Sequence, residues 1–114
     1  MPINSKTKGK VGEREWVQFL EEHGFRAKRT AQNAGAGVTN NYDDICSDVV
    51  SKDLPDFHME VKRVEALNIY NAMEQAIRDA GELWPMVAHR KNGKYWLVTM
   101  RADHFLTIIK TQKG

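Results

Sequence analysis

The chain has 114 residues, a formal net charge of +2, 41% hydrophobic and 28% charged residues, and one cysteine, Cys46. That length supports one domain with a real hydrophobic core and is too short for two. A single cysteine excludes an internal disulfide framework and a four-cysteine zinc site, and it fits a reducing cytoplasm, the host's if the source is viral. No apolar run approaches membrane-spanning length, and the N-terminus lacks the apolar core of a signal peptide.

In chain order, residues 1–8 read as a flexible basic arm, and residues 9–114 as the single domain. A helix is expected from Gly9 to His23, ending at Gly24, with Trp16, Val17 and Leu20 on its apolar face. Glu13 falls within that face. Either it is a first-turn glutamate favoured by the helix dipole and still wet, or it points inward to a cation, because burying a lone carboxylate is costly. Phe25 to Thr30 reads as a strand, and 31–41 as a loop of Gly, Ala and Asn without the lysine or spacing of a phosphate-binding loop. Tyr42 to Val50 is expected as the next strand, Ser51 to Asp56 as a turn around Pro55, and Asp56 to Arg63 as the third strand.

A second helix is expected from about Asn68 to Ala80, with Ile69, Met73, Ala76 and Ala80 buried and Gly81 as its end. Trp84 to His89 and Lys94 to Met100 read as strands joined across Lys91-Asn92-Gly93, a hairpin signal. Asp103 is placed to cap a last helix, His104 to Thr111. The order of helix, three strands, helix, two strands and helix describes an α/β fold with a central mixed sheet of about five strands flanked by helices.

Charge is uneven along the chain. Lys6, Lys8 and Lys10, then Arg26, Lys28 and Arg29, then Arg90, Lys91 and Lys94 form basic clusters. Asp43, Asp44, Asp48, Asp53, Asp56 and Glu60 face only Lys52 between positions 43 and 60. Basic clusters around an acidic centre suit a protein that attracts phosphates and holds a divalent cation, although ordinary surface charge gives the same composition.

The chemistry centres on Phe57-His58-Met59-Glu60-Val61-Lys62-Arg63. Its two-residue alternation places His58, Glu60 and Lys62 on one strand face, with Glu60 and Lys62 roughly 6.5–7 Å apart. The pair reads either as a surface ion pair or as half of a hydrolytic centre. A divalent ion takes oxygen ligands from one or two carboxylates, a backbone carbonyl and waters. It activates water and polarises a phosphoryl oxygen, while a nearby lysine orients the attacking water and offsets developing charge. Asp48, Asp53 and Asp56 read as turn and edge residues. The four histidines, His58 among them, read as surface or helix-end residues, Cys46 as packed, and Trp16, Trp84 and Trp96 as core or interface anchors.

In combination the chain resembles the PD-(D/E)xK nuclease superfamily, and within it the archaeal-type and phage Holliday-junction resolvases. The matching stretches are KGKVGERE (8–15), GFRAKRT (24–30), the Gly-rich loop, Asp44-Ile45, Met59-Glu60-Val61-Lys62, a helix bearing Tyr70 and Gln75, and a Trp-Pro-Met-Val-Ala strand. The resemblance implies a restriction-endonuclease-like fold and a catalytic set of Glu13, Asp44, Glu60, Lys62 and Gln75. Glu13, Asp44, Glu60 and the Val61 carbonyl would hold Mg²⁺, with Mn²⁺ able to substitute. Lys8, Lys10, Arg14, Arg26 and Arg29 would contact DNA. Asp44 is preferred to its neighbour Asp43 because the family pattern has Asp followed by an aliphatic residue. The implied activity is metal-dependent hydrolysis of branched DNA, four-way junctions above all. Two symmetric nicks call for a homodimer, and the apolar residues Phe105, Leu106, Ile108 and Ile109 of the last helix offer it a contact. A nuclease for linear, flap or single-stranded DNA, and an inactive DNA-binding module of the same fold, are the alternatives.

Overall fold

The computed structural model describes residues 5–30 and 47–113, and the side chains of those between 9 and 112. Helix α1 spans Ser5–Glu22, and strand β1 Lys28–Arg29 and β2 Val49–Val50 follow. Strand β3 is Phe57–Arg63, α2 Ile69–Ala80, β4 Trp84–Arg90, β5 Leu97–Thr99 and α3 Ala102–Lys113. The sheet runs β1-β2-β3-β4-β5, antiparallel throughout except for the β3–β4 pair. A parallel pair needs a crossover, and α2 supplies it.

The two faces of β3 and β4 build two cores. Met59 and Val61, with Met86 and Ala88, meet Trp16 and Leu20 of α1. Val87 faces the other way and packs with Ala72, Met73 and Ala76 of α2. Positions 58–61 and 85–88 are therefore all buried, because each face has its own helix. Trp16 stacks on Phe19 with ring centroids 5.5 Å apart and meets Trp96 at 5.1 Å, so these two tryptophans anchor the core. At Gly12 a Cβ would stand 2.6 Å from Arg63 Cβ, so only glycine lets α1 approach β3 this closely. One residue-pair along, Glu15 accepts from Arg63 Nε at 3.0 Å and from Arg90 at 2.9 Å, tying α1 to the ends of both central strands.

The expected elements are present, with shifted bounds. The first helix begins at Ser5, so residues 5–8 of the basic arm continue α1; no proline interrupts the run, and a helix docked along its apolar face propagates outward. β1 keeps only two residues of the expected Phe25–Thr30 strand. The Arg26 N–H is donated to the Asp53 carboxylate at 2.7 Å and not to a neighbouring strand. Of the expected Tyr42–Val50 strand, residues 42–46 lie outside those described, as does the loop at 31–41. Asn68 caps α2, its side chain accepting from Asn71 N at 3.1 Å, and Gly81 leaves the helix at φ 60°. The hairpin turn closes with Lys94 N donating to Lys91 O at 3.1 Å and Gly93 at φ 71°. Past it the Lys94 carbonyl accepts from Arg90 Nε at 2.9 Å, and β5 is confined to Leu97–Thr99. Asp103 does not cap α3. It lies in the helix's first turn with both carboxylate oxygens on Arg101, which lowers its pKa.

Candidate active site

Among the described residues, three elements converge beside β2. β2 and β3 pair with Val49 opposite Met59, which brings Asp48 level with the Glu60–Val61 region of the next strand. Asp48 N donates to Met59 O at 3.0 Å, and the Asp48 carboxylate then accepts from Val61 N at 2.9 Å, standing in for a further residue of the ladder. The N–H and C=O of one strand residue point to the same side, so the Val61 carbonyl also faces β2. Glu13 reaches the same region from α1, accepting from Arg29 Nε of β1 at 3.0 Å, with its side chain 19% exposed. Glu13 is thus largely withdrawn from solvent, with the Arg29 guanidinium beside it.

Asp48 is the electrostatic outlier of the site. Its pKa rises from 3.8 to about 7, first through burial, then through the charges of Glu60 and Glu13; the Val61 N–H and Lys62 oppose the rise. Asp48, Glu60 and Glu13 beside a backbone carbonyl form an all-oxygen donor set suited to a hard divalent cation. Asp48 stands at a bend just before β2, as the turn-and-edge reading has it, while its carboxylate reaches the β3 backbone at Val61. Asp53 is likewise a turn residue, paired with Arg26 at 2.8 Å. Asp43 and Asp44, the expected acid, lie outside the described residues; among those described, Asp48 is the acid that stands beside Glu60 and Val61.

α2 covers the polar face of β3. Four helical residues rise about 6 Å and two strand residues about 6.6 Å, so a helix laid along a strand can match every fourth residue to every second. Gln75 sits over Lys62, whose Nζ donates to Gln75 Oε1 at 3.2 Å. Asp79, one turn on, sits over His58 and Glu60, with one potential ligand atom from each of the three residues within 4.8 Å of the others. His58 is 1% and Glu60 2% exposed, and His58 Nε2 lies 2.8 Å from Glu60 Oε1. The far ring nitrogen of His58 meets Ser47 Oγ at 2.8 Å. His58 is thus an interior residue and not a surface one, because the polar face of a central strand is closed over by a helix. Sequence alternation showed that His58 shares a face with Glu60, but not that the face is sealed.

The expected DNA-contacting residues divide. Lys10 and Arg14 are exposed on α1, whereas Arg26 and Arg29 are paired with Asp53 and Glu13. Nothing is described of the Lys8 side chain.

A family model described as phage putative PDDEXK endonuclease matches residues 4–113. The chain belongs to this family. Its fold is also that of a solved structure, Hjc of Archaeoglobus fulgidus, a Holliday junction resolvase: TM-score 0.57, 23% identity, 82% of this chain and 72% of that one covered. No curated protein matches the chain. The resemblance to PD-(D/E)xK nucleases and the α/β fold expected from the sequence are thereby borne out, and the protein is an endonuclease of this class. PD-(D/E)xK nucleases generally use divalent metals. Among the described residues of the endonuclease, no helix is long and apolar enough to cross a membrane.

Proposed function

We propose that this endonuclease is a Mg²⁺-dependent enzyme, with Mn²⁺ able to substitute, that cuts branched DNA in the cytoplasm, four-way junctions in preference to linear duplex. The observation that supports the metal reading is the Asp48 carboxyl, its pKa pushed up to about 7 first by burial and then by the charges of Glu60 and Glu13, in a site offering oxygen donors. Glu13, Asp48, Glu60 and the Val61 carbonyl would hold the ion, with Asp48 in the role first given to Asp44. The bound ion would supply Lewis acidity toward a phosphoryl oxygen and a more acidic water.

The chain's own residues do the remaining work. Lys62 extends its ammonium beside the carboxylates, where it orients the attacking water and offsets the charge that develops on the phosphoryl oxygens. Gln75 holds Lys62 in that position from α2. Lys8, Lys10 and Arg14 receive the DNA backbone at the α1 end. Arg26 and Arg29 contribute positive charge at the β1 edge, although each is already shared with a carboxylate.

Resolving a junction takes two symmetric nicks, which a two-fold dimer provides. Phe105, Leu106 and Ile109 of α3 are 50%, 59% and 38% exposed, and this apolar strip supports a contact between copies. The test is cleavage of a four-way junction against linear duplex, flap and single-stranded DNA of equal length and salt, with Mg²⁺ and with chelator. Junction cleavage abolished by the chelator is the expected result. Equal cutting of linear duplex would refute the junction preference, and binding without cleavage in any divalent metal would make the chain an inactive DNA-binding module.

A further inference from the structure

We infer that His58 is a positioning residue for Glu60, fixing which carboxylate oxygen is offered to the cation. This rests on the reading of Glu60 as a metal ligand. Glu60 is one of the most completely buried side chains described, and its Oε1 lies 2.8 Å from His58 Nε2. An ionised carboxylate only accepts hydrogen bonds, so the Nε2 proton belongs to this contact. Nδ1 is then left to accept from the Ser47 hydroxyl at 2.8 Å. Ser47 immediately precedes Asp48, and Asp48 is tied to Val61. A continuous chain therefore runs from the backbone beside one acid, through the imidazole, to the carboxylate of another.

The consequence is geometric. With Oε1 committed to His58, Oε2 is the oxygen free to turn toward Asp48 and Glu13. The ring cannot swing away, because both nitrogens are engaged and the side chain is 1% exposed. Asp79 of α2 brings a carboxylate oxygen within 4.8 Å of the pair. Nothing in the alternation of β3 assigns this role, and the sequence resemblance does not include it.

The test uses two amide variants that differ in reach. The amide nitrogen of His58→Gln falls near the place of Nε2, whereas that of His58→Asn falls near the place of Nδ1. Binding of Mn²⁺ to the full chain is measured by isothermal titration, without DNA, after thermal melts confirm that each variant is folded. His58→Asn is expected to bind Mn²⁺ about tenfold to a hundredfold more weakly, the usual effect of losing a hydrogen bond to a metal ligand. His58→Gln is expected to stay close to wild type, a rescue that a merely space-filling histidine would not show. Equal affinities for all three proteins, or equal weakening of both variants, would overturn the inference. In parallel, nitrogen-15 NMR of the wild-type imidazole is expected to show a proton on Nε2; a proton on Nδ1 alone overturns the inference even if a variant does not fold. Wild-type protein that binds no Mn²⁺ at all would instead remove the cation reading, and this inference with it.

Discussion

Replacing Asp48 by Asn should stabilise the metal-free protein while removing its ability to be stabilised by metal. In the folded chain the Asp48 pKa is about 7, against an ordinary value of 3.8. A raised folded pKa means that the folded state holds the proton more tightly than the unfolded state. The native state is therefore least penalised below pH 3.8 and loses stability as pH rises toward 7. The full displacement corresponds to about 4 kcal/mol at most, reached above the folded pKa.

Asparagine retains an oxygen to accept the Val61 N–H but carries no charge, so the penalty disappears. The assay is urea unfolding of both proteins in chelator, near pH 4 and near pH 8. The variant should gain up to about 4 kcal/mol over wild type at the higher pH and little at the lower. With excess Mg²⁺ at pH 8, wild type should recover stability and the variant should not, since a ligand that binds only the folded state stabilises it by mass action. A variant no more stable than wild type at pH 8 in chelator would refute the account of Asp48 as a charge penalised by burial and by the nearby Glu60 and Glu13.

The same coupling fixes the pH dependence of metal binding. Mn²⁺ affinity should rise with pH through about 7 as Asp48 gives up its proton, with proton release measurable by titration in buffers of different ionisation enthalpy; a flat profile excludes Asp48 from the ligand set. Lys62→Ala should abolish cleavage, scored on a labelled junction, while leaving junction binding nearly intact by gel shift; undiminished cutting removes Lys62 from the mechanism. Gly12→Ala should cost about 1–3 kcal/mol in a chemical melt, because the new methyl meets Arg63 Cβ at 2.6 Å and either α1 or β3 must move. Leu106→Asp should shift the protein to monomer in sedimentation, and an unchanged mass would take α3 out of the dimer contact.

Much of the fold and part of the site were legible in the residues themselves. The periodicities of β3 and α2, the glycines at 81 and 93 and the Asn68 cap placed those elements nearly where they stand. Glu13 on an apolar helix face raised the question of an inward carboxylate, which Arg29 meets, whereas Gln75, bonded to Lys62, was marked only by the family resemblance. The register between β2 and β3 was not legible. Asp44 and Asp48 both precede the Pro55 turn, and only the pairing of Val49 with Met59 shows that Asp48 reaches Val61.

By itself, then, the sequence determined which residues alternate, where helices end and which charges lie close along the chain, since those follow from local backbone geometry and side-chain chemistry. The tertiary structure decided which carboxylates share a site and that the face bearing His58 and Glu60 is sealed by α2. The reason is physical: strand register and helix docking come from contacts between residues distant in sequence, and burial, not spacing, sets the energy of the charges gathered there.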